Sequence, residues 1–159
     1  SADGTGGVSQ YLYDKAGRML QSTRYATPIG DIGTGDGPIT VPQTSLSDAF
    51  VRKVYDAAGR LTKEVDASGA VSTYDYDAAG RLVRETRLAV PADAYRNVQA
   101  GAMLLAEPTP VASSGDRITR HFLDRAGREV LTIDAEGGAT ERFYDGAGQL
   151  IEIRDNYLG

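Results

Sequence analysis

Cysteine is missing from the 159-residue chain, and His121 is its single histidine. The lack of cysteine excludes disulfides and thiolate metal sites. With no second histidine either, we expect neither a nucleophilic triad nor a histidine-based zinc site. We interpret His121 as a strand residue beside a turn. The sequence therefore predicts no catalytic residue, no metal ligand and no cofactor.

Long apolar runs and an excess of basic residues are also missing. No run approaches the roughly 18 apolar residues that a membrane-spanning helix needs, so we expect no membrane span. The net charge is −5, and lysines and arginines are scattered among acidic residues, which argues against nucleic acid as a partner. The chain starts Ser1-Ala2-Asp3, with no initiator Met and no signal peptide, so we expect it to lie within a larger protein.

Glycine is abundant, with 19 residues, and much of it falls in an internal repeat. Five segments of the form (Tyr/Leu)-Asp-x-x-Gly-(Arg/Gln) line up. They begin at Tyr13, Tyr55, Tyr76, Leu123 and Tyr144. A shorter Asp-x-x-Gly pattern lies between some of them, at 66–69 and 134–137.

The spacing of the turn aspartates is the same in two separate regions. Asp66 follows Asp56 by 10 residues, and Asp77 follows Asp66 by 11. The aspartates at 124, 134 and 145 repeat the spacing of 10 and then 11. Such agreement indicates a tandem array, which we take as one unit over residues 1–159.

Each Asp-x-x-Gly unit has the composition of a type I turn that closes a β-hairpin. The aspartate carboxylate can accept from backbone N–H groups two or three residues on, and glycine supplies a positive φ at a bulge. We therefore predict these structural turn residues: Asp14, Gly17, Asp56, Gly59, Asp66, Gly69, Asp77, Gly80, Asp124, Gly127, Asp134, Gly137, Asp145 and Gly148.

The segments between the turns are strand-like and predict an all-β, meandering and spiralling sheet of hairpins. The predicted strands are 8–13, 18–24, 50–55, 60–65, 71–76, 81–87, 118–123, 128–133, 139–144 and 149–154. Such a repeat array buries its apolar surface against neighbouring units. The partners expected first are thus the neighbouring repeats of the same polypeptide.

Tyrosine precedes most of these turns and arginine follows them, so the two should stack across each hairpin. We regard these pairs as repeated structural staples. The alternative is a set of stacking platforms that bind glycans. The candidate binding residues are Tyr13, Arg18, Tyr55, Arg60, Tyr76 and Arg81.

Two insertions interrupt the array, at about 29–47 and about 91–114. They follow the matching segments 22–28 and 85–91, which are offset by 63 residues. The first insertion is rich in Gly, Thr and Pro and predicts a loop. Its Gly/Asp run at 30–37 leaves calcium binding open, although it lacks the ligand pattern of an EF-hand. The second insertion predicts one short helix near 92–106.

The Tyr-Asp-x-x-Gly-Arg hairpins resemble the YD-repeat, or RHS-repeat, family over most of the chain, from about Gln10 to Asn156. The resemblance implies large secreted or cell-surface bacterial proteins whose strands wind into a spiralling β-shell. In bacterial toxin complexes that shell encloses a toxic domain, whereas in wall-associated proteins and the animal teneurins related repeats serve adhesion. This chain lacks the Asp-Pro segment that accompanies self-cleavage at the end of family shells.

Two functions therefore follow from the sequence, and neither is enzymatic. The first is a structural segment of a β-shell, such as one that encloses a toxin. The second is a surface adhesion module that binds glycans or a cell-surface protein through exposed tyrosine and arginine side chains.

Overall fold

A computed structural model describes residues 7–28, 42–43, 45–89 and 111–157. They form one antiparallel sheet of ten strands, and the strands lie side by side in chain order. The strands are β1 (Ser9–Tyr13), β2 (Met19–Arg24), β3 (Ala49–Tyr55), β4 (Leu61–Asp66), β5 (Val71–Tyr76), β6 (Leu82–Arg87), β7 (Arg117–Leu123), β8 (Glu129–Ile133), β9 (Gly138–Tyr144) and β10 (Leu150–Tyr157).

The all-β meander predicted from the turn spacing is confirmed, strand by strand. Strand ends differ from the prediction by at most one residue, except that β10 continues to Tyr157. The predicted helix near 92–106 and the Gly/Asp run at 30–37 lie outside the described residues. Among the residues that the structure describes, no helix is long and apolar enough to cross a membrane.

The meander places its two kinds of connection at opposite ends of the strands. The five Tyr-Asp or Leu-Asp turns all lie at one end, which we call the Tyr-Asp edge. The two shorter turns, 66–69 and 134–137, and both insertions lie at the other end. The pairing register shifts beside each turn of the Tyr-Asp edge. These shifts confirm the predicted bulges, which close each hairpin next to its glycine.

The two faces of the sheet differ in composition. Residues that pair across strands lie on the same face because side chains alternate along a strand. One face carries the buried residues, with Val65 beside Val71 and Phe50 and Ala139 further along. Val65 and Val71 are 0% and 1% exposed and form the core with Leu88. The opposite face is mostly polar, as in the pair of Lys53 and Glu64.

Candidate functional site: an arginine–tyrosine ladder

The turn at Asp77 shows how each hairpin of the Tyr-Asp edge is closed. Asp77 Oδ1 accepts the N–H groups of Ala79 and Arg81, both at 2.9 Å. Asp77 Oδ2 accepts the Nε–H of Arg81 at 2.7 Å. The N–H of Gly80 donates to the Asp77 carbonyl at 2.9 Å. The carboxylate therefore holds N–H groups two and four residues on, whereas the sequence suggested two or three.

The turn glycines have the left-handed backbone that the sequence predicts. The φ angle is +84° at Gly59, +81° at Gly80 and +85° at Gly127. An ordinary residue pays about 1–2 kcal/mol in this region because its Cβ crowds the following carbonyl. Gly69 and Gly137, at the opposite edge, have φ angles of +81° and +85°. The positive φ of the turn glycines is thus confirmed at both edges.

Arginine and tyrosine stack between successive hairpins and not within one, which corrects the expected pairing. The Arg18 guanidinium lies 5.0 Å from the Tyr55 ring centroid, and that of Arg60 lies 4.9 Å from the Tyr76 ring. Arg128 repeats the contact on Tyr144 at 4.6 Å. Each arginine thus binds its own turn aspartate through Nε and covers the next hairpin's ring. We call this series the arginine–tyrosine ladder.

The pairing register explains why stacking crosses to the next hairpin. In each contact the residue three positions after the arginine pairs with the residue three positions before the next turn's Tyr or Leu. Gln21 pairs with Arg52 in this way, and Lys63 pairs with Thr73. The same offset holds for Arg84 with Arg120 and for Leu131 with Glu141. A single register therefore links successive hairpins along the sheet.

Each guanidinium lies over the glycine of the following turn. An added Cβ would lie 3.3 Å from Arg18 Nη1 at Gly59 and 3.5 Å from Arg60 Nη1 at Gly80. Arg18 Nη1 also donates to the Asp56 carbonyl at 3.4 Å. The missing side chain of glycine therefore serves two purposes, because it allows the positive φ and leaves space for the neighbouring arginine.

The tyrosine hydroxyls complete the ladder in the opposite direction. Tyr55 donates to the Met19 carbonyl at 3.0 Å, and Tyr76 donates to the Leu61 carbonyl at 2.7 Å. Tyr144 donates to the Glu129 carbonyl at 2.9 Å. Each acceptor directly follows the arginine of the preceding hairpin and lies beside a bulge. The Tyr-Asp motif thus joins each hairpin to its predecessor through the ring, the hydroxyl and the turn.

Leu123 replaces the tyrosine in one hairpin, and the arginine nevertheless keeps its place. Arg81 Nη1 donates to the Asp124 carbonyl at 3.2 Å. Its Nη1 and Cδ lie 3.3 Å and 3.5 Å from the position of an added Cβ at Gly127. The glycine and the turn carbonyl are therefore sufficient to hold the guanidinium. The ring adds stacking where it is present.

The turn aspartates are stabilised as carboxylates. At Asp14, Asp56 and Asp124, the backbone N–H four residues on is the main cause that lowers the carboxyl pKa, with the arginine side chain adding to it. At Asp77 the guanidinium of Arg81 is the main cause of the lowered pKa. Hydrogen bonds to the ionised form favour that form. These carboxylates are thus committed to the turns.

Asp48 and Asp116 fasten the ends of the two insertions, and sequence reasoning missed this role. Asp48 Oδ1 accepts the Ala26 N–H at 2.8 Å, and Oδ2 accepts the Ser45 N–H at 2.8 Å. Asp116 holds the N–H groups of Ala89 and Ser113 at 2.9 Å and 3.0 Å. Ser-x-x-Asp eight residues before a turn aspartate occurs at both insertions and could have revealed the clamp.

Burial of Asp48 acts to raise its carboxyl pKa, but the hydrogen bonds from Ala26 and Ser45 outweigh burial and lower it. The side chain belongs to a residue that is only 4% exposed, so an ionised carboxylate there needs these donors. The clamp therefore holds a charged, buried group whose bonding capacity is used to close the insertion.

His121 lies on the polar face of β7, as a strand residue, and is bound to charged neighbours. Its Nδ1 lies 2.6 Å from Glu129 Oε2, and the other Glu129 oxygen accepts from Arg142 at 2.7 Å and from Thr132 at 2.7 Å. Burial acts to raise the pKa of Glu129, but these partners lower it overall. In the described ranges, no three acidic or histidine side chains converge as a metal site would require.

A shallow groove of about 300 Å³ opens on the polar face of β1 to β3. Tyr11, Ser22 and Arg24 line it, together with Ser9 and Val51. Tyr11 is 49% exposed, so its ring is accessible from the groove. The groove offers an aromatic surface, hydroxyl groups and a cation, none of which belongs to the ladder.

The repeated turns, the common register and the ladder define a tandem β-hairpin repeat protein. Residues 55–89 match the RHS Repeat family model. The resemblance to the YD/RHS family is thereby confirmed, and the hairpins of this chain are RHS repeats. No curated protein sequence matches the chain.

Solved structures share the fold at low sequence identity. The crystal structure of TcdB2-TccC3 is 18% identical with a TM-score of 0.59 and covers 96% of this chain. The TcdB2-TccC3-Cdc42 structure is 18% identical with a TM-score of 0.58 and covers 94% of this chain. The chain spans 7% and 6% of the lengths of the chains that it matches there. The RHS sheet of this chain is therefore similar to a small part of each.

Proposed function

We propose that this chain is a non-catalytic structural segment of the β-shell of a large secreted or cell-surface bacterial RHS protein. The observation that carries the proposal is the continuity of the arginine–tyrosine ladder. Contacts run from Arg18 to Tyr55 and from Arg81 to Asp124 although an insertion separates the partners in sequence. A sheet fastened hairpin to hairpin in this way can be extended indefinitely without a separate core.

The chemistry committed to the fold also supports a structural role. The turn aspartates hold backbone N–H groups, and the arginines beside them hold the next hairpin. His121 and Glu129 are part of a paired network across three strands. Side chains with catalytic potential are thus used in hydrogen bonds that order the sheet.

The proposal extends to a toxin-enclosing shell, of the kind that the RHS resemblance implies. The fold of this chain is similar to a part of TcdB2-TccC3, and the chain covers only 7% of that length. A wall of that size needs many such segments, joined through their strand edges. The ladder supplies a join that each hairpin repeats.

The test is cryo-electron microscopy of the native gene product that contains this sequence. We expect the ten strands to lie within a continuous curved β-wall around an internal space, with the Tyr-Asp turns along one line. Finding the sheet as a separate module on a stalk, with both strand edges exposed, would contradict the structural role. Surface location is tested independently by protease accessibility on intact cells.

The second candidate function is adhesion, and the groove beside Tyr11 favours it. An exposed ring beside Ser22 and Arg24 is a composition that suits sugar binding, because the ring can stack and the polar groups can hydrogen-bond. A glycan array probed with the chain and with its Tyr11→Ala variant tests this function. Binding that is lost in the variant would support adhesion, whereas no binding by either protein would reject the groove as a sugar site.

A further inference from the structure

The first hairpin presents the receiving half of the arginine–tyrosine ladder at an open strand edge. β1 is the edge strand of the sheet and pairs only with β2 among the described strands. Tyr13 is 55% exposed, whereas the stacked rings of Tyr55, Tyr76 and Tyr144 are half-buried. The ring that begins the ladder is therefore open to solvent on the side where an arginine lies in later hairpins.

The glycine of the first turn is open in the same way. Gly17 has a φ of +78°, and no atom lies within 4 Å of a Cβ built on it. At Gly59, Gly127 and Gly148, the guanidinium of the preceding hairpin lies 3.3 Å from the corresponding position. Tyr13 and Gly17 thus form a slot with the shape of the later slots, and we call it the β1 slot.

The chain itself is poorly suited to fill the β1 slot. Residues 1–6 contain no arginine or lysine. The last hairpin, whose strand β10 has the free edge at the other end of the sheet, carries Gln149 where four other hairpins carry arginine. A second copy that docked head to tail would therefore present an amide in place of a guanidinium. The slot and the chain's own last hairpin are mismatched.

We propose that the free edge of β1 docks a β-hairpin of a second polypeptide whose turn reads Asp-x-x-Gly-Arg, and that it selects this partner by its arginine. The guanidinium stacks on Tyr13, lies over Gly17 and donates to the Asp14 carbonyl, as Arg18 does at the next turn. The inference rests on the ladder geometry and does not require the shell role. A covalent link is unnecessary, because Arg18 reaches Asp56 across 38 residues.

The common register fixes the docked pairing. Since the residue three positions after each arginine pairs with the residue three before the next Tyr or Leu, the partner's third residue after its arginine should face Gln10. The exposed apolar side chains along this edge, Leu12 at 47% and Tyr11 at 49%, would be partly covered by the added strand. Main-chain pairing supplies affinity, and the slot supplies selectivity.

The Gln149→Arg variant of this chain supplies the partner. In the other hairpins the arginine is held by its own turn aspartate, and Asp145 already accepts the Gln149 N–H in the equivalent way at 2.8 Å. We expect the variant to associate head to tail about tenfold more tightly than the original chain, measured by analytical ultracentrifugation. Adding Tyr13→Ala to the variant should return association to the original level.

Cross-linking tests the register, because the chain has no native cysteine. A chain with Gln10→Cys is mixed with a chain carrying Gln149→Arg and Glu152→Cys, and disulfide dimers are counted on a gel. We expect several-fold more dimer than with Glu152→Cys alone, and more than when Ile153→Cys replaces Glu152→Cys. Equal yields with and without Gln149→Arg, or association that persists in Tyr13→Ala, would overturn the proposal.

Discussion

Replacing single turn glycines by alanine separates the two purposes that the ladder gives to glycine. Gly17 and Gly59 have nearly the same backbone, with φ of +78° and +84°. An added Cβ meets nothing within 4 Å at Gly17, but at Gly59 it lies 3.3 Å from Arg18 Nη1. The first substitution therefore reports backbone strain alone, and the second adds displacement of the arginine.

The magnitudes follow from these contacts. Strain at either site should cost about 1–2 kcal/mol, the penalty for an ordinary residue with a left-handed backbone. At Gly59 the guanidinium must also shift by a few tenths of an ångström from Tyr55 and from the Asp56 carbonyl. Loss of that stacking should add about 0.5–1 kcal/mol. Gly59→Ala should thus destabilise the chain more than Gly17→Ala.

Urea unfolding followed by circular dichroism measures both changes in the free energy of unfolding. Because Gly17 lies in an edge hairpin, the decisive control repeats both glycine substitutions in an Arg18→Ala background. Removing Arg18 should erase the extra cost at Gly59 and leave the cost at Gly17 unchanged. An extra cost that survives without Arg18 would refute the packing explanation.

Three further predictions concern other parts of the ladder. Tyr76→Phe should cost about 0.5–1.5 kcal/mol in urea unfolding because its hydroxyl donates to Leu61, whereas Tyr13→Phe should cost almost nothing. Leu123→Tyr should raise the melting temperature by placing a ring beneath Arg81, and an unchanged or lower value would contradict that geometry. The third concerns acid. The pKa of Asp56 is lowered on folding, so its contribution to stability is present above about pH 4 and is lost as the pH falls through the lowered pKa. Urea midpoints measured from about pH 5 to pH 2 should therefore fall less steeply in Asp56→Asn than in the original chain.

The hairpins could be predicted from the sequence because Asp-x-x-Gly is a local code. Asp77 and Gly80 specify their turn through bonds to residues at most four positions away. The spacing of 10 and 11 residues between turns then fixed strand lengths to within one residue in nearly every case. Local chemistry was sufficient for this level of structure.

The ladder could not be predicted because its contacts depend on which strands become neighbours and in what register. The sequence suggested that Arg60 stacks on Tyr55 of its own hairpin, yet Arg60 covers Tyr76. The bulge beside each turn moves Tyr55 opposite Leu61 and directs the arginine towards the next strand. The clamp of Ser45 and Asp48 was missed for a similar reason, since its carboxylate also holds Ala26, 22 residues away.

The clamps at Asp48 and Asp116 have a consequence for how such a sheet can change in evolution. Each clamp fixes both ends of an insertion, and the segments between Ala26 and Ser45 and between Ala89 and Ser113 differ by five residues in length. The entropy of closing a loop grows only logarithmically, so a difference of this size costs about 0.2 kcal/mol. Foreign peptides, and even whole domains, could therefore be grafted between these anchors while the strands keep their register.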